Sequence, residues 1–276
     1  MLGNLKRSLV ILFSFCFLSM ILVGCNQVPD NAKDLLAKVY KNMAEVSSYS
    51  MDTKLTMDTS MSGAANSISI NTKIGMTLEP FELMIAHEYQ DGKDEPVIDY
   101  MYTRQADTFD AFFYEKDKWN KTVIDENQIQ ELKEEYSTPV DFGLYFNQVD
   151  SFAITSSDHE AIVIEGTVSG SNIVNVLKNT GALKQLSLTS FPEDQLKDAR
   201  PIKVKAWVNP DDLCLTKVSV DMAETYQDLT NLLFGENSLV SPQINQCIIE
   251  LNHICVNSPY DITMPEDIKK ELDKLL

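Results

Sequence analysis

The sequence predicts an α+β protein built on one continuous, strongly curved antiparallel sheet with helices on its concave face. Three observations predict it. From Tyr49 to Met61 the odd positions read Tyr, Met, Thr, Leu, Met, Thr, Met, and the even ones are polar, the two-residue period of a half-buried strand. Further alternating runs follow at hairpin spacing in both halves of the chain, each set preceded by a segment of helical period. No Pro/Gly/Ser-rich linker divides the halves, and they share no sequence identity, so neither two separate domains nor a repeat is read.

The N-terminus sets the compartment. Lys6 and Arg7 precede sixteen uncharged residues, Ser8 to Val23, the pattern of a signal sequence and somewhat short for a membrane span. The run ends in Leu22-Val23-Gly24-Cys25, which resembles a bacterial lipobox: a small residue directly before Cys, with Leu three positions upstream of it. That resemblance implies that residues 1–24 are removed and that Cys25 becomes a diacylglycerol-modified N-terminus, with 25–31 as linker. Two acyl chains hold a protein firmly on a bilayer where one does so only marginally. The expected location is therefore the extracytoplasmic face of the cell membrane, with the membrane as partner through Cys25.

The chain of 276 residues carries 23 Lys and Arg against 41 Asp and Glu, a formal charge of −18. Removal of 1–24 takes two cations and no acid, leaving 21 against 41, near −20. Such a balance excludes nucleic-acid binding, which needs clustered cations. It also opposes anionic headgroups, so membrane contact beyond the tether would need apolar surface.

The elements follow in order. Asp30 or Asn31 caps a helix whose Leu35, Leu36, Val39, Tyr40 and Met43 form one face. The strand from Tyr49 to Met61 would be roughly 40 Å long, and Gly63 to Asn66 turns it into a second run with Ile68, Ile70, Thr72, Ile74, Met76 and Leu78 on one face. Strands at Phe81 to Gln90, Pro96 to Arg104, Phe109 to Tyr114 and Trp119 to Ile124 complete a meander. With one face apolar and one polar, the sheet is expected to be covered on one side only. A helix from Glu126 to Tyr136 ends before Pro139, and Asp141 to Asn147 forms a further helical turn. Strands resume at Ser151 to Thr155 and Ala161 to Val168. Ser171 to Asn179 is a short helix stopped by Gly181. Ile202 to Val208 and Leu213 to Met222 form a hairpin around Asn209-Pro210-Asp211-Asp212. Residues 223–241 suit a helix lying on the sheet, Ile244 to Val256 a last long strand, and Pro265 to Leu276 a terminal helix.

Four segments of this pattern resemble the LolA/LppX-like superfamily of lipid-carrier folds, and within it a family of uncharacterised Gram-positive lipoproteins. They are the lipobox; the passage from Ala32-Lys33-Asp34-Leu35-Leu36 to Ser47-Ser48-Tyr49-Ser50; the hairpin Val204 to Asp211 continued by Leu215 to Met222; and the ending Ile262-Thr263-Met264-Pro265-Glu266. None is catalytic. The resemblance implies one LolA/LppX-like domain over 32–276, an incomplete β-barrel around an apolar cavity that in some relatives takes acyl chains and in others serves a protein partner.

Signatures of chemistry are lacking. His87, His159 and His253 lack the spacing of a helical zinc site, and Asp91-Gly92-Lys93-Asp94-Glu95 reads as a hairpin turn rather than a calcium loop. There is no Gly-x-Ser-x-Gly elbow, Ser-x-x-Lys or phosphate loop, and nothing singles out a pair of carboxylates for glycoside hydrolysis. No metal, cofactor or catalytic residue is expected, and the chain reads as no enzyme. After Cys16 and Cys25, Cys214, Cys247 and Cys255 remain. The last two lie too far apart on one strand to bridge; Cys214 could pair with one of them only if their strands are neighbours, and strand parity points all three inward, which suits buried free thiols.

Met51, Met57, Met61 and Met76 fall on the apolar faces of the first two strands, and flexible thioethers suit either core packing or an adaptable cavity wall. The expected function is binding of a lipid or other hydrophobic ligand in the half-barrel by burial alone, about 0.8 kcal/mol per CH2. The expected lining is Leu55, Met57, Ile70, Ile74, Met76, Ile249 and Leu251. The alternative is an interaction module that stabilises or positions another cell-envelope protein.

Overall fold

The structure is a computed structural model and describes residues 28–92, 94–105, 109–115, 117–136, 146–179, 193–235, 241–258 and 264–276. Helix α1 (Ala32–Ala44) starts on Asn31, whose side-chain oxygen accepts the Asp34 backbone N–H at 2.9 Å, and ends near Lys41, so both ends complement the helix dipole. It buries Leu35, Leu36, Val39 and Met43. Strands β1 (Ser48–Met61) and β2 (Ala64–Thr77) pair along their whole lengths, from Ser48 opposite Thr77 to Met61 opposite Ala64. The turn expected over Gly63 to Asn66 is only two residues, Ser62 and Gly63, at φ 52° and 82°. Positive φ at both central positions is what a two-residue hairpin matched to strand twist requires.

The meander continues through β3 (Glu82–Asp91), β4 (Val97–Gln105), β5 (Phe109–Glu115) and β6 (Lys118–Val123). Helix α2 (Glu126–Glu135) begins with a reciprocal capping box between Asp125 and Gln128. A 3-10 turn at Phe146–Gln148 stands in the region expected to be helical over Asp141 to Asn147; Pro139, residues 141–145 and Gly181 lie outside the described residues. The second half comprises β7 (Ser151–Ser157), β8 (Ile162–Val168), α3 (Ser171–Asn179), the single turn α4 (Glu193–Leu196), β9 (Ile202–Val208), β10 (Leu215–Asp221), α5 (Ala223–Phe234), β11 (Gln243–Val256) and α6 (Glu266–Asp273). The helix expected within residues 223–241 runs from Ala223 to Phe234, with Thr225, Tyr226 and Leu229 buried.

All eleven described strands form one open antiparallel sheet in the order β6-β5-β4-β3-β2-β1-β11-β10-β9-β8-β7. The two meanders are wings, joined at the centre where β1 pairs with β11. The main core lies on one face, where Leu35, Val39 and Met43 of α1, Ile129 of α2 and Ile173 and Leu177 of α3 cluster with Tyr49, Met76, Leu83, Ile164, Val204 and Val220 of the sheet.

The expectation of one covered side is corrected. Met84, Tyr100, Tyr102 and Phe112 point to the opposite face of the β3–β6 wing and form a second core with Leu272 of α6. Tyr114, Trp119, Met264 and Ile268 pack around it. The non-alternating runs Tyr100-Met101-Tyr102 and Phe112-Phe113-Tyr114 are the reason: both faces of these strands are apolar, so both need cover.

Candidate functional site

Cys25 lies outside the described residues. The seven expected lining residues all project from the main-core face, and the structure divides them. Ile74 (8% exposed), Met76 (0%) and Leu251 (7%) belong to the buried main core. Leu55, Met57, Ile70 and Ile249 are half-buried.

Sheet register shows why. One row of residues crosses six strands as Val97, Tyr89, Ile70, Leu55, Ile249 and Val220. Its burial declines along the row. Val220 is fully buried, Ile249, Leu55 and Ile70 are partly covered, Tyr89 is 37% exposed and Val97 58%. Strands β1, β2 and β11 are 14 residues each, and their apolar face continues beyond the part that is fully covered. Helix α5 reaches the same end of the sheet, where the side-chain oxygen of Gln227 accepts the Ile244 backbone N–H at 2.7 Å. Leu232, Leu233 and Phe234 in the last turn of α5 are exposed. The result is a strip of apolar surface at the hairpin-tip end of the main-core face.

A second row, one register step toward the core, was missed by sequence reasoning. Thr53, Thr72, His87 and Asp99 stand side by side on β1, β2, β3 and β4 on this same face, and all four are half-buried. The alternation that contains them was visible, but His87 reads as an ordinary strand histidine until its neighbours across the sheet are known.

Three clefts lined by described residues lie elsewhere. A cleft of about 700 Å³ lies over β7–β10 and includes Glu165, Thr167, Lys203, Lys205 and Ser219. One of about 480 Å³ separates α1 from Phe146 and Phe152. A third, of about 370 Å³, adjoins Arg200 and Asp228. None includes any of the seven expected residues.

Among the described residues no group of three or more His, Cys, Asp or Glu is placed to hold a metal. His159 is exposed, and His253 Nδ1 lies 2.9 Å from an Asp52 carboxylate oxygen. Cys214, Cys247 and Cys255 are all free. Burial, reinforced by Asp212, pushes the Cys214 thiol up to about 11; burial, reinforced by Asp221, pushes Cys247 up to about 12. Cys255 corrects the parity argument, because it is exposed. The β1–β11 register shifts between the Ser50–Cys255 and Asp52–Asn252 pairs, and His253 there adopts φ 52°. The extra residue of this bulge turns Ile254 inward and Cys255 outward. No described helix is long and apolar enough to cross a membrane.

A protein-family profile described as a family of unknown function, DUF6612, matches residues 31–272, nearly the whole described fold. The chain belongs to this family. DUF6612 therefore takes in the sheet, both cores and the apolar strip together, as one unit. No curated protein matches the chain. Among solved structures, the dehydratase domain from the CurH module of curacin polyketide synthase is 11% identical over 80% of each chain at a TM-score of 0.16, a likeness that carries no argument about fold or activity.

Proposed function

We propose that this protein is a lipid-anchored, extracytoplasmic member of its family that holds a lipid or other apolar ligand against the open part of its sheet, in the manner of a LolA/LppX-like half-barrel. The observation that carries the reading is the split among Leu55, Met57, Ile70 and Ile249 on one side and Ile74, Met76 and Leu251 on the other. Burying the second group completes a core. Leaving the first group half-covered costs stability unless something apolar comes to lie on it, at about 25 cal/mol per Å² removed from water. Aliphatic and thioether side chains make no directional demand on such a ligand.

Two measurements test this reading. Labelling with an alkyne-bearing palmitate in a Gram-positive host should mark the wild-type protein and not Cys25→Ser; equal labelling of both would remove the anchor. The chain from residue 26 onward, purified gently, should carry close to one co-purifying lipid in native mass spectrometry with lipid extraction. A clean ligand-free mass, with no uptake of a fluorescent acyl probe, would overturn the carrier reading.

One observation favours a second reading. The exposed Leu232-Leu233-Phe234 turn of α5 is the sort of apolar patch that docks a protein. Crosslinking in whole cells that captures one envelope protein, lost in Leu233→Asp, would favour an interaction module.

A further inference from the structure

We propose that the row Thr53, Thr72, His87 and Asp99 selects the head group of the ligand, and that it suits an uncharged, hydroxyl-bearing amphiphile of the monoacylglycerol kind rather than an anionic one. The inference rests on the carrier reading and gives it a ligand class.

The four residues occupy adjacent strands at one register level, so the row runs about 14 Å across the sheet. On the side toward the core it is bordered by Met51, Ile74, Ile85 and Met101, and on the other by Leu55, Ile70, Tyr89 and Val97. A polar stripe thus crosses an apolar face between two apolar rows. None of the four side chains has a hydrogen-bond partner among the described residues, although all are half-buried. Threonines whose hydroxyls are tied to nearby carbonyls occur elsewhere in this protein; Thr103 and Thr225 bond Asp110 and Arg200 in that way. The row is different: its donors and acceptors are not tied to this chain and reach solvent, so a head group that lies on the sheet can take the place of water there.

The inventory of the row defines the complement. Two hydroxyls and an imidazole can both donate and accept, and a carboxylate is an acceptor. A head group with several O–H donors satisfies all of them. A carboxylate or phosphate head does not. Asp99 would repel it, and no Lys or Arg occupies this face of β1–β4 to compensate. The apolar rows on either side supply the bed for an acyl chain of such a molecule.

Full-length protein in phosphatidylcholine vesicles, exposed to diazirine-bearing monooleoylglycerol or diazirine-bearing oleate at equal membrane concentration, tests this. The glyceride probe should label peptides from β1 to β4 about fivefold more than the oleate probe, the effect of a hydrogen bond of ordinary strength. Asp99→Asn and Thr72→Val, each checked for an unchanged melting temperature, should shrink that excess to below about twofold. Equal labelling by the two probes in the wild type would overturn the head-group inference and leave acyl binding standing. An excess unchanged in both variants would overturn it equally. Labelling of this sheet by neither probe would overturn the carrier reading itself.

Discussion

Trp119 Nε1 donates a hydrogen bond to the backbone carbonyl of Ile268 at 3.1 Å, tying strand β6 to helix α6 on the face opposite the main core. Tyr114 lies against the same indole at 5.4 Å between ring centroids, and an Arg104 guanidinium N–H reaches the Leu276 carbonyl at 3.0 Å. Helix α6 has eight residues and would not persist alone in water; the aromatic face of β3–β6 is what holds it. Trp119→Ala should lower stability by about 2–3 kcal/mol. Hydrogen exchange should show amides 266–273 losing protection before the sheet does. Retained protection there would mean that Leu272 alone holds the helix.

Asp228 on α5 accepts from three donor groups of Arg200: the backbone N–H at 2.7 Å, Nε at 3.1 Å to each carboxylate oxygen, and Nη2 at 2.8 Å. Burial works to raise the carboxyl pKa, but the side-chain and backbone hydrogen bonds and the charge of Arg200 together outweigh it and hold it below the usual 3.8. A depressed folded-state pKa stabilises the protein above the unfolded value, and that contribution disappears as pH falls through the folded one. Stability should therefore decline below about pH 4, and Asp228→Asn should flatten that decline while costing about 1 kcal/mol at pH 7. Identical acid limbs for the two proteins would refute the assignment.

Gly166 on β8 sits beneath the stretch that leads into β7. A Cβ there would stand 2.6 Å from Val149 Cγ1, 2.7 Å from Phe152 Cδ1 and 2.7 Å from the Ser151 carbonyl. A backbone oxygen cannot swing aside as a side chain can. Gly166→Ala should cost about 1–3 kcal/mol, read as a lower urea midpoint with an unchanged slope. A neutral substitution would show that the β7 edge yields more readily than the register suggests.

The three thiols should differ in reactivity. Iodoacetamide at pH 8 should modify Cys255 in the native protein, and should reach Cys214 and Cys247 only after denaturation, because they are buried with thiols pushed up to about 11 and about 12. Mass spectrometry of peptides before and after urea reads this directly. Rapid native labelling of Cys247 would mean that the β10–β11 contact opens readily.

Much of the fold could be read from alternation. Residues 49–61 were legible as a long strand because one polar and one apolar face leave a strict period. What escaped were the places where the period fails for a physical reason. The bulge at His253 inserts one residue and reverses every side chain after it, so Cys255 could not be placed by counting. The second core was signalled by adjacent aromatics at Phe112, Phe113 and Tyr114, but only the docking of α6 reveals why both sides are apolar. For the candidate site, parity correctly put Leu55, Ile70, Ile74 and Met76 on one face; how far the helices cover that face is a tertiary fact, and it alone separates the first pair from the second. The row from Thr53 to Asp99 is invisible in one dimension, since its members are 12 to 19 residues from the next in the chain.

The central pairing of β1 with β11 places the first strand of the fold beside its last, with Tyr49 opposite Val256. A chain leaving the ribosome therefore makes the β1–β6 wing early, yet one side of β1 has no neighbour until β11, nearly 200 residues later, emerges. Each growing molecule passes through a stage in which a long strand edge with one apolar face is bare, and two such molecules could satisfy each other at that edge. Loss of the C-terminus, by a premature stop or by proteolysis before completion, would not merely trim this protein. It would leave two half-sheets with no seam, the form in which self-association rather than simple instability is the expected fate.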